Sequence, residues 1–288
     1  MNGVNKMKKI YEGKARDIYE MDNNLVLVAT DRISVHVPLP YKVKYKGQVL
    51  NKMSEFWFNK FSDIIPNHMI TTDVNDMPKY FQNEEFKNRC MLVKKLKMLP
   101  FECIVRGHIT GTCWEKYSKG EDVCGIKLEK GLQQFQKLIY PIFTPTTKEL
   151  DGKDTNVTFE EFKKAVGSEL ATKIRDKSIE IYLKAYEYLF SKGIILADTK
   201  MEFGLDEHNQ LVLGDELLTP DSSRFWLAKD FKVGNIQTNY DREELRKFVE
   251  SKPMTKENIN DIPKEIIDKI SQKYLDIYKL ITNHNIQL

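Results

Sequence analysis

Apolar and polar residues alternate through most of the first hundred positions, with the two-residue period of β-strands. The runs "KKIYEG", "RDIYEM" and "LVLVATD" show it, broken at Gly13 and at the turn Asp22-Asn23-Asn24. The period then lengthens. In "QVLNKMSEFWFNKF", Leu50, Met53, Phe56, Trp57 and Phe61 recur at helical spacing. Strands are predicted at "HMITT", "CMLVKKL" and "FECIVRG", and the break "KMLPFE" around Pro100 marks a hinge. It divides an N-terminal β-rich lobe, residues 1–98, from a larger lobe, 99–288. A loop-rich stretch, "QKLIYPIFTPTTKELDGKDTN", follows, too apolar at "YPIF" for a linker. Thr158 and Glu161 form a capping box for one short helix, and Ser168 opens a longer one. That helix carries Leu170, Ile174, Ile181, Tyr182, Ala185 and Leu189 on one stripe, and Gly193 ends it as the C′ residue. A strand from Ile194 to Gly204, the polar turn "DEHNQ" and the strand "LVLGDE" then predict a hairpin. Asp241 and Glu244 make a second capping box. A last amphipathic helix runs from Pro263 through Ile267, Ile270, Tyr274, Ile277 and Leu280. The pattern predicts an α+β fold with an antiparallel N-terminal sheet.

Composition adds limits. The 288 residues are 41% hydrophobic and 11% aromatic, which suits a chain with a real core. A formal charge of +3 is too small to argue for nucleic acid or a membrane surface as partner. Cys90, Cys103, Cys113 and Cys124 contain no CxxC pair and read as reduced thiols, with structural zinc not expected. The opening "MNGVNKMKKIYEGK" lacks the apolar segment of a signal peptide, and no run reaches the length of a membrane helix. A soluble, cytoplasmic protein is expected.

The hairpin carries the first candidate chemistry. In "LADTKMEFG", Ala197, Thr199, Met201 and Phe203 alternate with Asp198, Lys200 and Glu202, so acid, base and acid share one face. Pairing with "LVLGDE" brings Asp215 within a few residues of Glu202. Two facing carboxylates, completed by phosphate oxygens and water, are a ligand set that Mg²⁺ prefers. A salt-bridged hairpin facing water fits the same pattern. The segment "GDELLTPDSSRFW" weighs against water, because Asp215, Glu216, Asp221 and Arg224 crowd against Phe225 and Trp226.

Two further stretches have the chemistry of anion sites. "YEGKARDIY" places Gly13, Lys14 and Arg16 in a turn between strands, where backbone and cations can approach a phosphate. A surface turn has the same look. "ECIVRGHITGTCW" sets Arg106 beside a Gly-Thr loop opening into a helix, with Thr112 as an ordinary N-cap in the plainer reading. His108 reads as structural. With Lys200 of the hairpin able to lie against a phosphate, there are three phosphate-binding candidates, and together with the carboxylate pair they point to nucleoside-triphosphate chemistry on a second anionic substrate.

In these segments the chain resembles the phosphoribosylaminoimidazole-succinocarboxamide synthase (SAICAR synthetase) family. "LPFECIVRGHITGT" and "LADTKMEFG" are similar to its two signature segments. "YEGKARDIY", "DRIS", "KMSEFWF", "PIFTPTTKE" and "GDELLTPDSSRFW" match others in the same order, across roughly residues 9 to 245. The resemblance implies an ATP-dependent ligase of purine biosynthesis. It would join L-aspartate to the carboxylate of carboxyaminoimidazole ribonucleotide (CAIR), with Mg²⁺ accompanying ATP. It implies an antiparallel N-terminal lobe and a larger α/β lobe, related to ATP-grasp and protein kinase folds, with ATP in the cleft between them. By the same resemblance Gly13, Lys14 and Arg16 would cover the ATP phosphates, and Lys95 and Met98 would contact adenine. Glu202 and Asp215 would hold Mg²⁺, with Lys200 and Asp198 as the catalytic pair beside it. Arg106, Thr112 and Arg224 would grip the ribonucleotide 5′-phosphate, and Ser34, Lys148 and Asp221 would belong to the substrate cleft. Asp198 is the expected base for the incoming amine. Monomer and homodimer are both open.

Three departures bear on this. The first signature usually ends Gly-Ser, and here it is Gly111-Thr112. After "DRIS" the family runs on as Ala-Phe-Asp, where this chain has Val35-His36-Val37 and lacks the carboxylate. "GKDTN" replaces a more acidic run. The changed segment favours one rival reading, a nucleotide-binding protein that kept the fold and lost the reaction, which the intact Asp198, Lys200, Glu202, Asp215 and Arg224 set disfavours; a ligase for another carboxylate or amine is a third.

Overall fold

The computed structural model describes residues 7–35, 37–148, 154–240, 243–251 and 261–287. His36, Asp241 and part of "GKDTN" lie outside them, so the second capping box and the centre of the changed Val35-His36-Val37 segment have no structural account.

The alternating N-terminal runs form an antiparallel sheet. Strands β1 (Lys9–Glu12), β2 (Arg16–Met21) and β3 (Asn24–Ala29) lie in sequence order, and a separate two-stranded ribbon follows, β4 (Arg32–Val35) with β5 (Val37–Lys42). Helix α1 (Lys46–Lys60) leads to β6 (Met69–Thr71) and β7 (Cys90–Lys94), and β7 inserts between β3 and β6. β3 is apolar on both faces for a reason. Leu27 and Ala29 face α1 and the main core, while Val26 and Val28 pack with Tyr19, Met77, Phe81 and Phe86 on the other side. On α1, Leu50, Met53, Trp57 and Phe61 are buried as the spacing predicts, and Phe56 packs at the margin beside Tyr188.

The chain leaves this sheet after Lys94. β8 (Lys97–Met98) already pairs with the second sheet, through Gly204 and Leu205. That sheet also receives β9 (Phe101–His108). Helix α2 (Gly111–Ser118), strands β10 (Lys137–Phe143) and β11 (Thr146–Thr147), and helices α3 (Phe159–Val166) and α4 (Ser168–Phe190) follow. Then come β12 (Ile194–Leu205), β13 (Leu211–Gly214), β14 (Ser223–Leu227), α5 (Glu243–Ser251) and α6 (Lys264–Thr282). One buried cluster runs from Leu27 through α1 to α4 and α6, so residues on both sides of Pro100 share a core.

Helix ends follow local chemistry. The Thr158–Glu161 capping box is formed in full and is worth about 1 kcal/mol. α4 is capped at Ser191, so Gly193, expected as the C′ residue and at φ 74°, lies one residue beyond the C′ position. α2 is capped at Thr110 rather than Thr112, and with no side-chain bond. On α6, Ile267, Ile270, Tyr274 and Ile277 are buried, but Leu280 faces solvent and Ile281 takes the inward position.

β12 is the centre of the second sheet. It pairs antiparallel with β9 on one side and β14 on the other, and its far end pairs with β13. Its simple alternation does not hold throughout. Between Leu196 and Asp198 the pairing with β14 carries one extra residue, Ala197, and the faces exchange there. Ile194 and Leu196 reach the main core before it, Met201 and Phe203 after it, and Ala197 joins Ile195 and Trp226 in a separate cluster. α4 covers the strand closely. Tyr182 donates to the Leu196 carbonyl at 2.7 Å, and a Cβ on Gly107 would sit 1.8 Å from the Tyr182 hydroxyl. Gly107 therefore serves strand-to-helix packing inside β9, not a loop.

Candidate functional site

The charged row of β12 is buried: Asp198 is 3% exposed and Glu202 4%. A solvated hairpin face is thereby ruled out. Asp198 stands opposite Arg106 of β9 and opposite Arg224 of β14, so three adjacent strands present three charges side by side. Asp198 Oδ2 accepts from Arg106 Nη1 at 3.1 Å and from Arg224 Nη1. Arg106 donates further, from Nε to Thr144 Oγ1 at 3.0 Å and from Nη2 to Thr112 Oγ1 at 3.3 Å. The extra methyl of Thr112 thus leaves the hydroxyl in use. Gly111 adopts φ +54°, and a Cβ there would lie 2.9 Å from Arg224 Nη2, so backbone and guanidinium both demand glycine.

These groups line a cavity of about 230 Å³. Arg106, Lys200, Arg224 and Arg246 set four cations against two carboxylates, Asp198 and Asp221, with Thr112 on the same wall. Such a lining suits a phosphate-bearing ligand. Arg246, on α5, was not legible in the sequence, where it is one cation among many on a polar helix. Ser34 is not among the lining residues. It lies on the β4–β5 ribbon opposite Pro38.

Four residues beyond Asp198, Glu202 pairs in register with Gly214, next to Asp215. Lys148 Nζ lies 2.5 Å from Glu202 Oε2, and Lys200 Nζ lies 2.5 Å from Glu102 Oε1. Glu102 was missed in the sequence because its tie to Lys200 depends on the β9–β12 register. Burial, reinforced by Asp215, pushes Glu202 up to about 7. Burial also works on Asp215, but Arg16, Lys148 and Lys200 outweigh it and hold that group below the usual range. Asp215 takes φ +54°, and Leu218, in the same loop, φ +50°. Such left-handed backbone in a non-glycine residue is strain of the kind found at functional sites.

A carboxyl group raised in the folded state binds its proton more tightly there than when unfolded. Its stabilising contribution is present below about pH 4.5, the ordinary value, and is lost as pH rises toward 7. Glu202→Gln should therefore gain thermal stability relative to the parent protein between about pH 5 and 7.5. Melting temperatures of both proteins across that range check the sign. A constant offset would mean that Glu202 titrates normally.

Arg16 belongs to β2, and its guanidinium reaches across to the second sheet. Nη2 meets Glu216 Oε2 at 2.6 Å and Nη1 lies 3.6 Å from Asp215 Oδ1. Gly13 and Lys14 form the turn before it, and Arg32 Nη2 donates to the Gly13 carbonyl at 2.7 Å. Met98 lies over Gly204 and Gly214 of the hairpin that bears Glu202 and Asp215. Lys95, by contrast, is engaged at the β2–β3 hairpin, with Glu20 at 3.0 Å and the Asp22 carbonyl at 3.2 Å. His108 is boxed by Tyr186, Trp226 and Phe231, and burial brings its imidazole down to about 4. It is a neutral core residue. The four cysteines are buried and unpaired.

Among the described residues no three His, Cys, Asp or Glu side chains come together as a metal cage, and no helix is long and apolar enough to cross a membrane. Glu202 and Asp215, adjacent across one ladder, are the pair that fits a divalent cation completed by ligand oxygens.

Known proteins are similar to this chain along nearly its whole length. The sequence profile of the SAICAR synthetase family matches residues 9–262. The phosphoribosylaminoimidazole-succinocarboxamide synthase of Lachnospira eligens is 47% identical over 97% of this chain and 96% of its own. That of Thermodesulfovibrio yellowstonii is 43% identical over 96% of each. A Saccharomyces cerevisiae SAICAR synthase, solved with SAICAR bound, is 36% identical and superposes with a TM-score of 0.87, covering 100% of this chain and 98% of its own. A family match over residues 9–262, with identities of that order over nearly the full length, means that the chain belongs to the SAICAR synthetase family.

Proposed function

We propose that this chain joins L-aspartate to the carboxylate of CAIR at the expense of ATP, giving SAICAR, ADP and phosphate in purine biosynthesis. The observation that carries the reading is the buried row of β12. It sets an arginine-lined anion cavity at Asp198 four residues from a carboxylate pair at Glu202 and Asp215.

The chemistry requires both ends. A carboxylate does not accept an amine, because oxide is a hopeless leaving group. Transfer of the γ-phosphoryl group from ATP to a carboxylate oxygen of CAIR gives an acyl phosphate. The neutral amine of aspartate then attacks its carbonyl carbon, phosphate departs with the C–O electron pair, and the nitrogen gives up a proton. Positioning and charge neutralisation dominate such a transfer. Arg106, Thr112 and Arg224, joined by Arg246, hold the 5′-phosphate, and Asp198 keeps the two strand arginines aligned for it. We therefore give Asp198 a positioning part in place of the base expected from sequence. Lys200 and Lys148 stand where a transferred phosphoryl group needs cations. The Gly13–Lys14 turn covers the ATP phosphates, Arg16 anchors that turn to Glu216, and Met98 with the segment from Lys95 meets adenine. Glu202 and Asp215 would hold Mg²⁺, which when bound supplies charge neutralisation at the phosphates. ATP lies between the lobes 1–98 and 99–288, and the enzyme works in the cytoplasm.

ADP release measured with all three substrates, then with CAIR or aspartate omitted in turn, tests this reading. Release that depends on both supports it. Release without either, or none at all, or a preference for another carboxylate or amine, overturns it.

A further inference from the structure

Lys46 breaks a local rule. It opens α1, where the helix dipole makes the end positive, and the first turn holds no acidic residue of its own and Tyr45 gives no side-chain cap. The residue before it, Tyr45, sits at φ +67°, a strained conformation for a bulky side chain. Helix stability explains neither. The lysine is nonetheless only 1% exposed, so its charge is held away from water.

Its partner is Asp221. Lys46 Nζ lies 2.7 Å from Asp221 Oδ2, and both side chains are buried. The hydroxyl of Tyr274, a fully buried residue of α6, donates to Asp221 Oδ1. Asp221 is thus gripped at both oxygens by two helices, and it lines the arginine-rich cavity. The start of α1 is itself pinned. Gly47 N–H donates to Asp31 Oδ1 at 2.9 Å, and Asp31 is held by both terminal nitrogens of Arg89 at 2.9 and 2.7 Å. A frame therefore runs from the N-terminal sheet through Lys46 to the wall of the cavity.

We propose that Lys46 and Tyr274 are positioning residues for ligation, fixing Asp221 in the ribonucleotide half of the cavity. Asp221 is the group that meets the ligand, and Lys46 acts through it. The proposal rests on the ligase reading above. A buried ion pair is poor evidence of stability in itself, and its retention on a cavity wall is explained by the geometry it imposes.

The test compares Lys46→Met, Lys46→Arg, Tyr274→Phe, Asp221→Asn and the double variant Lys46→Met/Asp221→Asn in the ADP-release assay. Lys46→Met should raise the KM for CAIR about tenfold or more, the scale of one charged hydrogen bond, and leave the KM for ATP within about twofold. Lys46→Arg should restore most of the loss. The double variant should match Asp221→Asn alone, because on this proposal the lysine acts through that carboxylate. Tyr274→Phe removes one hydroxyl and keeps the ring, so it reports in the same direction if Lys46→Met does not fold. Unchanged KM values in the folded variants, a parallel rise for CAIR and ATP, or additive losses in the double variant would each overturn the proposal. Failure of the parent protein to release ADP would instead overturn the ligase reading on which it stands.

Discussion

Asp215→Asn should lower kcat for ADP release by more than about 10²-fold, the usual scale for losing one preorganised electrostatic group at a transferring phosphoryl centre. The substitution is chosen for its backbone. Asp215 sits at φ +54°, a conformation that asparagine adopts at least as readily as aspartate, so the loop keeps its shape. What changes is charge. Arg16 keeps Glu216 as its close partner at 2.6 Å, so its side chain stays in place. Glu202 loses one of the influences that raise it, burial being the larger. Glu202→Gln should show a comparable fall in kcat. Circular dichroism and melting curves would establish that both variants are folded. Near-normal turnover of either with Mg²⁺ and ATP would sink the metal assignment.

Arg224→Ala should act on the other substrate. The guanidinium contacts Asp198 from β14 and hangs directly over Gly111 at the start of α2, inside the cavity. Loss of one charged hydrogen-bonding group predicts a rise of about 10- to 100-fold in the KM for CAIR, with the KM for ATP nearly unchanged. Steady-state kinetics with each substrate varied separately decides the matter. A matched rise in both KM values would show that Arg224 supports the fold or the cleft in general and not the ribonucleotide.

How far the sequence disclosed this arrangement depends on the range of the interactions. Elements with a strict period and local signals were legible, including α1, the Thr158 capping box and the β12–β13 hairpin that joins Glu202 to Asp215. Pairs fixed by strand order were not. Lys200 with Glu102 requires β9 to lie beside β12 in one register, and Arg16 with Glu216 requires two sheets to meet. The bulge at Ala197 has no local signature either, since alanine suits both faces. Lys95 lies in the connecting segment that the resemblance assigned to adenine, and its partner Glu20, on a strand distant in sequence, was equally beyond reach of local pattern. Lys46 was passed over because a cation heading a helix reads as a surface residue until its burial is known.

The continuity of β12 has one more consequence. Asp198 and Glu202 stand on a single unbroken strand, about 13 Å apart at the rise of extended chain. On the function proposed above, the strand would act as a ruler between acceptor and phosphoryl donor, kept from stretching by its pairing with β9, β14 and β13. Side-chain substitution can alter what is recognised at either mark but not the distance between them. A sliding register offers no adjustment, because a shift of one residue would turn every charged group toward the apolar layer. The segments beyond the strand's ends, the turn before α2 and the loop from Asp215 to Ser222, are where such a design leaves room for a longer or shorter substrate.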